Sequence, residues 1–346
     1  MRRAFVGIFT LAFFCLLLIP GASSVGMAAE KEIVIRVGST LVKSHPHSEA
    51  AYRLADVVNK KTGGRIKIQY HPHSQLGKAS EQISGVRMGS QEAFFGANGR
   101  MNRIIKAMNI LSPSFGFKSK EEKLALINSP YFDTLREQLR KKFSLKVLNF
   151  DWFRGYRNLL TQKPVMKLGD LKGIKLRVPP SPAKVAVWKA LGASPTPISS
   201  KEQFMALKEG VIDGVEHNVF SIRGKHLDEV AKHFLLTQHE PIYAGFTVNQ
   251  GFWNALSESD RKIIMDALSD CRTWLTAKFD SLVREYKEKM EKEEGVTFRS
   301  MEPSERDRWF KAAEKAVDAL EKSKGWWPEG TMKKFRAKDP QYYRPM

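Results

Sequence analysis

Cysteine is almost missing from this chain. Among 346 residues there are two, Cys15 in an apolar N-terminal stretch and Cys271 in the middle of a helical pattern. The sequence therefore carries no disulfide framework and no Cys-x-x-Cys pair for metal or redox work. Gly-x-Ser-x-Gly, a phosphate-cradling P-loop and His-Glu-x-x-His are also missing. With no nucleophile set beside a base, the expected role is not enzymatic, and no cofactor is expected. Acid is scarce too: 37 Asp and Glu stand against 57 Lys and Arg, a net charge of +20. Such an excess favours anionic partners. Nucleic acid is set aside, because the lysines are scattered along amphipathic patterns with no aromatic-basic run and no finger spacing. Beyond residue 20 no apolar run reaches membrane-spanning length.

At the N-terminus, Arg2 and Arg3 precede an apolar run from Ala4 to Ile19, interrupted only by Gly7 and Thr10. Pro20 and Gly21 end it, and Gly26, Ala28 and Ala29 follow. A basic start, an apolar centre and a small-residue exit form the pattern of a cleaved secretory signal peptide over 1–29. A permanent anchor needs roughly 20 apolar residues, somewhat more than are present. The expectation is an exported, monomeric periplasmic protein of about 317 residues, large enough for two lobes with their own cores.

The first half alternates strand and helix patterns. Ile33–Gly38 reads as a strand. Ala50, Ala51, Leu54, Val57 and Val58 mark one face of a helix over His47–Lys61, stopped by Thr62-Gly63-Gly64. Arg65–Tyr70 is a second strand, Gly77–Met88 a helix and Glu92–Gly96 a third strand. This succession predicts a parallel sheet with right-handed crossovers. A longer amphipathic helical region is predicted over Lys118–Lys142, then strands at Leu145–Phe150, Gly155–Thr161, Gly173–Val178 and Val211–Glu216, with helices at Pro182–Leu191 and Lys201–Lys208. Phe246–Asn249 reads as a strand returning to the first lobe, and Glu258–Glu293 as a helix long enough to cross both. The lobes are expected at 33–154 plus 243–282 and at 155–242 plus 283–327, with 328–346 as a C-terminal tail.

Two arginines stand out. In Lys175-Leu176-Arg177-Val178, alternation puts Arg177 on the face opposite Leu176 and Val178, just before Pro179-Pro180. A guanidinium held at a strand end suits a carboxylate gripped by two parallel hydrogen bonds, and equally a structural ion pair. Arg157, in Phe153-Arg154-Gly155-Tyr156-Arg157-Asn158, starts another strand and carries the same two readings. Four histidines fall in the triplets His45-Pro46-His47 and His71-Pro72-His73, each close after a strand. If those strands are neighbours, four imidazoles could meet and hold zinc or copper, which makes an exported metal-binding protein the alternative reading. Ordinary loops with surface histidines explain the triplets equally simply.

The stretch Asp170-Leu-Lys-Gly-Ile-Lys-Leu-Arg-Val-Pro-Pro-Ser181 resembles the most recognisable block of the solute-binding proteins of TRAP (tripartite ATP-independent periplasmic) transporters, the DctP family. Ala190-Leu-Gly-Ala-Ser-Pro-Thr-Pro-Ile198, Ala206-Leu-Lys-Glu-Gly-Val-Ile-Asp-Gly-Val-Glu216 and Glu229-Val-Ala-Lys232 follow in family order. Upstream, Thr62–Tyr70 and Ser74-Gln-Leu-Gly77 match as well, so the resemblance covers roughly Ile33 to Glu294. It implies a two-lobed α/β periplasmic binding protein, type II-like, with crossing strands and one long helix spanning both lobes. It also implies capture of a small organic anion, such as a carboxylate, for delivery to TRAP membrane permease subunits. The family's carboxylate-binding arginine falls on Arg177 and a second ligand-facing arginine on Arg157. A position commonly Asn is His217 here, with Asn218 beside it. Asn98 falls where sugar-acid binders commonly carry an acid, and Thr40 falls at an early-loop contact. Ser200 replaces the aromatic of sialic-acid binders, which disfavours that ligand. Trp152 or Phe153 is expected to form an apolar wall.

Overall fold

Local chemistry sets the element ends. The computed structural model describes residues 32–345, so the expected signal peptide at 1–29 lies outside the described residues. The chain opens with β1 (Ile33–Ser39), α1 (Pro46–Lys61), β2 (Ile66–His71), α2 (Ala79–Met88) and β3 (Ala93–Ala97). Two 3-10 turns, Asn98–Arg103 and Lys106–Leu111, lead to α3 (Lys120–Ile127), α4 (Pro130–Phe143), β4 (Leu145–Val147) and β5 (Trp152–Thr161). Then come β6 (Lys175–Val178), α5 (Pro182–Ala190), β7 (Ser194–Pro197), α6 (Gln203–Lys208), β8 (Gly214–His217), α7 (Val219–Arg223) and α8 (Leu227–Val230). The last third holds β9 (His233–Asn249), α9 (Gln250–Ala255), α10 (Glu258–Glu294), β10 (Thr297–Ser300), α11 (Pro303–Lys324) and α12 (Thr331–Arg336).

The helical region expected over Lys118–Lys142 consists of two helices. Ser129 accepts a hydrogen bond from the Phe132 N–H at 3.3 Å, with Pro130 at the first helical position. Serine at the cap and proline at the first turn start a new helix, and the residue before a proline disfavours continuing the old one. The long helix is confirmed at α10: Ser257 caps it by accepting from the Asp260 N–H, and Gly295 ends it at φ 65°. Its 37 residues span about 55 Å.

The sheet is mixed, not parallel. Its strands run β2-β1-β3-β9-β5-β8-β6-β7, with β4 and β10 also paired to β9. The β2-β1-β3 and β8-β6-β7 edges are parallel, as the crossover pattern predicts. The centre is antiparallel, because β9 and β5 run against each other and against β3 and β8. Only the end of β9 is legible in sequence. The whole strand is 17 residues, about 55 Å of extended chain. Its alternation is broken by a bulge: between the pairs Arg157↔Glu240 and Leu159↔Leu235, β9 has three more residues than β5. Gln238, at φ 46°, lies in that bulge.

Three apolar clusters flank the sheet. One joins Val37, Phe95 and Phe246 to Leu268 and Leu275 of α10. Another joins Val215, Phe220 and Phe234 to Phe279 and Met290 of the same helix. Helix α10 thus belongs to the cores of both halves. The third gathers Phe94, Phe132, Leu176, Trp188, Trp309 and Trp327. The C-terminal segment is not loose: Met332, Phe335 and Tyr342 are buried, and the Tyr131 N–H donates to Gln341.

The sheet centre is tightest where β9 passes the chain leading to β5. A Cβ on Gly245 would overlap the backbone carbonyl of Asn149, whereas one on Gly169 would meet nothing. Gly245→Ala is therefore expected to cost at least about 2 kcal/mol, since backbone cannot step aside as a flexible side chain does. Gly169→Ala is the control, expected within about 0.5 kcal/mol of the parent. Urea unfolding followed by circular dichroism reads both.

Candidate functional site

The adjacency β5-β8-β6 collects the charged residues. Arg177 on β6 lies opposite Val215 of β8, and Asn158 of β5 lies opposite His217 on the other side of β8. Strict alternation would send Arg154 and Arg157, three residues apart, to opposite faces. Strand β5 instead carries one extra residue between its pairs at Phe153 and Tyr156. Gly155 sits inside that bulge at φ 89°, a conformation open to glycine. Both arginines consequently face one cavity, opposite Thr40, Leu41 and the 3-10 turn that follows β3.

Seven cationic side chains line this cavity: Arg100, Arg103, Arg154, Arg157, Arg177, Lys184 and Lys225. Glu240 is the one carboxylate among its lining residues. Behind the lining, Glu216 is fully buried and receives the Arg157 guanidinium on a side-chain oxygen and on its backbone carbonyl. His239 donates to the same Glu216 oxygen at 3.2 Å through Nε2, its Nδ1 being occupied by the Thr237 hydroxyl at 2.7 Å. Lys184 pairs with Glu240, and Lys123 reaches the other Glu240 oxygen at 3.3 Å. Two carboxylates thereby organise Arg157, Lys184 and Lys123 into a buried network.

Arg177 and Arg154 are left outside it. The Arg177 Nε donates to the Ile198 carbonyl at 2.9 Å, while its Nη2 is buried without a hydrogen-bond partner. Arg154 reaches Ser221 Oγ at 3.5 Å, and its Nε is buried and unpartnered. The electrostatics follow. Burial, with Arg157 nearby, pushes Arg177 down to about 9. Burial, with Arg157 and Arg100, does the same to Arg154. Burial and Arg177 bring Lys225 down to about 8. Burial would raise Glu216, yet Arg157 and Lys184 hold it well below the usual carboxylate range. Burial and the surrounding arginines keep His217 neutral. Its Nδ1 accepts from the Asn218 N–H at 3.1 Å, so the ring proton is on Nε2, a donor.

Of the residues singled out from sequence, Thr40, Arg157, Arg177 and His217 line the cavity, as does Ser200. Asn98 heads the turn Asn98–Arg103, and its side chain lies outside the described part. Asn218 serves the scaffold instead: its Oδ1 caps α7 through the Ser221 N–H at 2.9 Å, and its Nδ2 holds the Arg154 carbonyl at 2.7 Å. Trp152 is not a cavity wall. It is 1% exposed and packs in the core, 5.3 Å from Phe95 and 5.6 Å from Phe246 between ring centres. Phe153 likewise packs on Tyr243 and Phe279. Leu41, Val42, Pro179 and Ile242 supply the apolar lining.

The histidine alternative finds no support, although β1 and β2 are neighbours and pair Gly38 with His71. His45 caps α1, its Nδ1 accepting from the His47 N–H at 3.1 Å, and both rings are buried. His73 is exposed. No group of three or more His, Cys, Asp or Glu among the described residues is arranged to hold a metal.

Sequence reasoning missed Arg100, Arg154, Lys184 and Lys225. Lys184 had a signal, a lone charge in the otherwise apolar Pro182-Ala-Lys-Val-Ala-Val-Trp188. Arg154 had a weaker one, its glycine neighbour.

The model of the bacterial extracellular solute-binding proteins, family 7 (DctP), matches residues 37–324. The chain belongs to that family. A solute-binding protein of Roseobacter denitrificans is 30% identical over 253 residues, 73% of this chain and 77% of that protein. The C4-dicarboxylate-binding protein DctB of Bacillus subtilis is 27% identical, covering 82% of this chain and 80% of its own. A TRAP periplasmic solute-binding protein of Actinobacillus succinogenes, solved with bound L-galactonate, is 30% identical with a TM-score of 0.78, over 88% of this chain and 98% of that one. The chain is thus a TRAP-type solute-binding protein with the two-lobed fold, and it binds rather than transforms its solute. Such proteins are periplasmic, and their partner is the TRAP transporter. Among the described residues no helix is long and apolar enough to cross a membrane.

Two predictions rest on this geometry. Arg157→Met leaves Glu216 buried with less compensation and is expected to cost several kcal/mol, about 3–5 by analogy with broken buried pairs. Arg177→Met removes a buried cation that has no direct ion pair among the described residues, and is expected to leave ligand-free stability equal or higher. Urea titration of the two variants without ligand separates them. The pH dependence has a definite sign. His45, His47, His217, Lys123 and Lys225 all have native values below their usual ones. The unfolded chain therefore binds more protons. Ligand-free stability should rise from about pH 6 to about pH 9, first as unfolded histidine loses its proton and then as the lysines titrate above about 8. A flat or falling unfolding free energy over that window contradicts the assignment.

Proposed function

We propose that this chain captures an organic anion in the cavity between its halves, anchors a carboxylate on Arg177 and Arg157, and hands it to its TRAP permease. The observation that carries the reading is the charge imbalance: seven lining cations face one lining carboxylate, and Arg177 keeps an unpartnered buried donor. A buried charge must be paired and hydrogen-bonded. Glu216 and Glu240 are already engaged, so the missing negative charge is the solute's. The Nε2–H of His217 and the Thr40 hydroxyl are suited to hydroxyl or carboxylate oxygens, and Asn98 stays with them as a proposed contact. L-galactonate and C4-dicarboxylates, the ligands named for relatives of this chain, are acids of this kind.

In this reading the two halves, 33–154 with 243–282 and 155–242 with 283–327, act as jaws. The rim pair of Lys78 with Glu202 at 3.0 Å is exposed and worth little by itself. Neutralisation of the arginines by the solute then supplies most of the drive to close, shifting the open-closed population. Residues 1–29 direct export and are removed in the process, and the mature chain works as a monomer.

A thermal-shift and calorimetric screen of organic acids on refolded, ligand-free protein tests the function. A true solute at about 100 times its Kd adds about 2.7 kcal/mol of stability. Arg177→Ala is expected to weaken that solute at least about 100-fold, the loss of a buried charge-assisted pair. Near-normal affinity in the variant refutes the arginine anchor, and no response to any acid refutes the function.

A further inference from the structure

One cation of the buried network lies outside the cavity lining. Lys123 stands on α3 and is 1% exposed. That helix is tied to β9 by the Tyr243 hydroxyl, which donates to the Lys120 carbonyl at 3.0 Å. Leu124, Leu126 and Ile127, the residues that follow Lys123 on α3, are buried. The Lys123 ammonium is 5.5 Å from the centre of the Phe117 ring. Its one ion-pair partner among the described residues is Glu240, whose Oε1 it reaches at 3.3 Å. Burial brings Lys123 down to about 8 against the pull of Glu240, so the ammonium is charged at neutral pH.

Charge balance does not call for this lysine. Arg157 pairs with Glu216, and Lys184 pairs with the other Glu240 oxygen, from which the Arg157 Nε is 3.9 Å away. Two cations already match two carboxylates. His239 adds no charge, because burial lowers it and leaves it neutral at pH 7. Lys123 is the third cation, and it leaves the network with one net positive charge. A buried ammonium beyond what neutrality needs costs desolvation, and an apolar side chain of similar length would fill the same space without that cost. The sequence gives no sign of this placement: Lys120-Glu121-Glu122-Lys123 reads as a solvated helical turn. Glu240 and Lys184 both line the cavity, so Lys123 stands one ion pair behind the solute. A unit charge acting over about 10 Å at an effective dielectric of about 20 shifts the affinity for an anion on the order of tenfold.

We propose that Lys123 is a positioning residue for the solute: from behind Glu240 it keeps the network net positive, so that Lys184 and Arg157 face the cavity with charge that the two carboxylates do not cancel. This rests on the binding function proposed above and deepens it, placing part of the affinity on a residue that touches no solute. Without Lys123 the same network is neutral, and Glu240 competes with the solute for Lys184 and Arg157.

The test is a double-mutant cycle on the mature, ligand-free protein at pH 7, read by isothermal titration. The probes are the sodium salts of L-galactonate, L-fuconate, galacturonate, pantoate, succinate and sn-glycerol 3-phosphate, and the tightest of them is carried through the cycle. Lys123→Met is expected to bind it about tenfold more weakly than the parent, a gap of about 1.4 kcal/mol. Glu240→Gln removes a negative charge and is expected to bind about tenfold more tightly. The double variant restores one net positive charge and is expected within about threefold of the parent. Should Lys123→Met fail to fold, the double variant is read against Glu240→Gln, a background with no carboxylate to strand, and is again expected about tenfold weaker. A lysine that merely held Glu240 in place would give the opposite pattern: Glu240→Gln would weaken binding, and adding Lys123→Met to it would change nothing. Either result overturns the inference, as does equal affinity of the parent and Lys123→Met, and each leaves the solute-binding function standing. Silence of the parent protein toward every acid refutes the function itself.

Discussion

Buried positive charge that the protein does not neutralise by itself is the constraint on which the rest of this structure depends. Glu216 and Glu240 gather Arg157, Lys184, Lys123 and His239 into one network, and that network fixes where β5, β8 and β9 sit relative to one another. Arg177 and Arg154 flank it with donors unspent. Both are nearly fully buried. An anion entering the cavity meets an electrostatic arrangement whose positive part the fold has already built.

The scaffold holds that charge through two long elements. β9 carries Glu240 in its middle and pairs with strands of both halves, while α10 contributes side chains to the core of each. A site between two halves needs connections that keep them in register yet permit relative movement. The bulges are part of the same design. The one in β5 turns Arg154 and Arg157 to a common side, and the one in β9 brings His239 to Glu216 and Glu240 to Arg157. Without them, alternation would scatter these groups over both faces of the sheet.

Family membership and fold were legible because they are written in contiguous stretches. The block Asp170–Ser181, the helix-and-strand alternation of the first 100 residues and the apolar face of α10 are local patterns, each constrained by backbone geometry and periodicity. Arg177 was legible for the same reason, as a charge on a short apolar strand before two prolines. Trp152 was misread because an aromatic beside a ligand-facing arginine suits a cavity wall and a core equally well. Asn218 was misread because an amide beside a strand end suits both a ligand and a helix cap. Both are resolved by what packs around them, Phe95 and Phe246 in one case and the α7 N-terminus in the other.

The sequence alone carries the class of protein, the sign of the charge on its solute and Arg177 as the candidate anchor. These depend on residue type and short-range spacing. Only the tertiary structure decided which other charges face the cavity. Arg100, Arg154, Lys184, Lys225 and Glu240 are separated by up to 140 positions and meet through strand pairing and two bulges. No local pattern encodes a register shift three residues long, and electrostatic fields act through space rather than along the chain. The charge that the cavity presents is therefore a property of the fold.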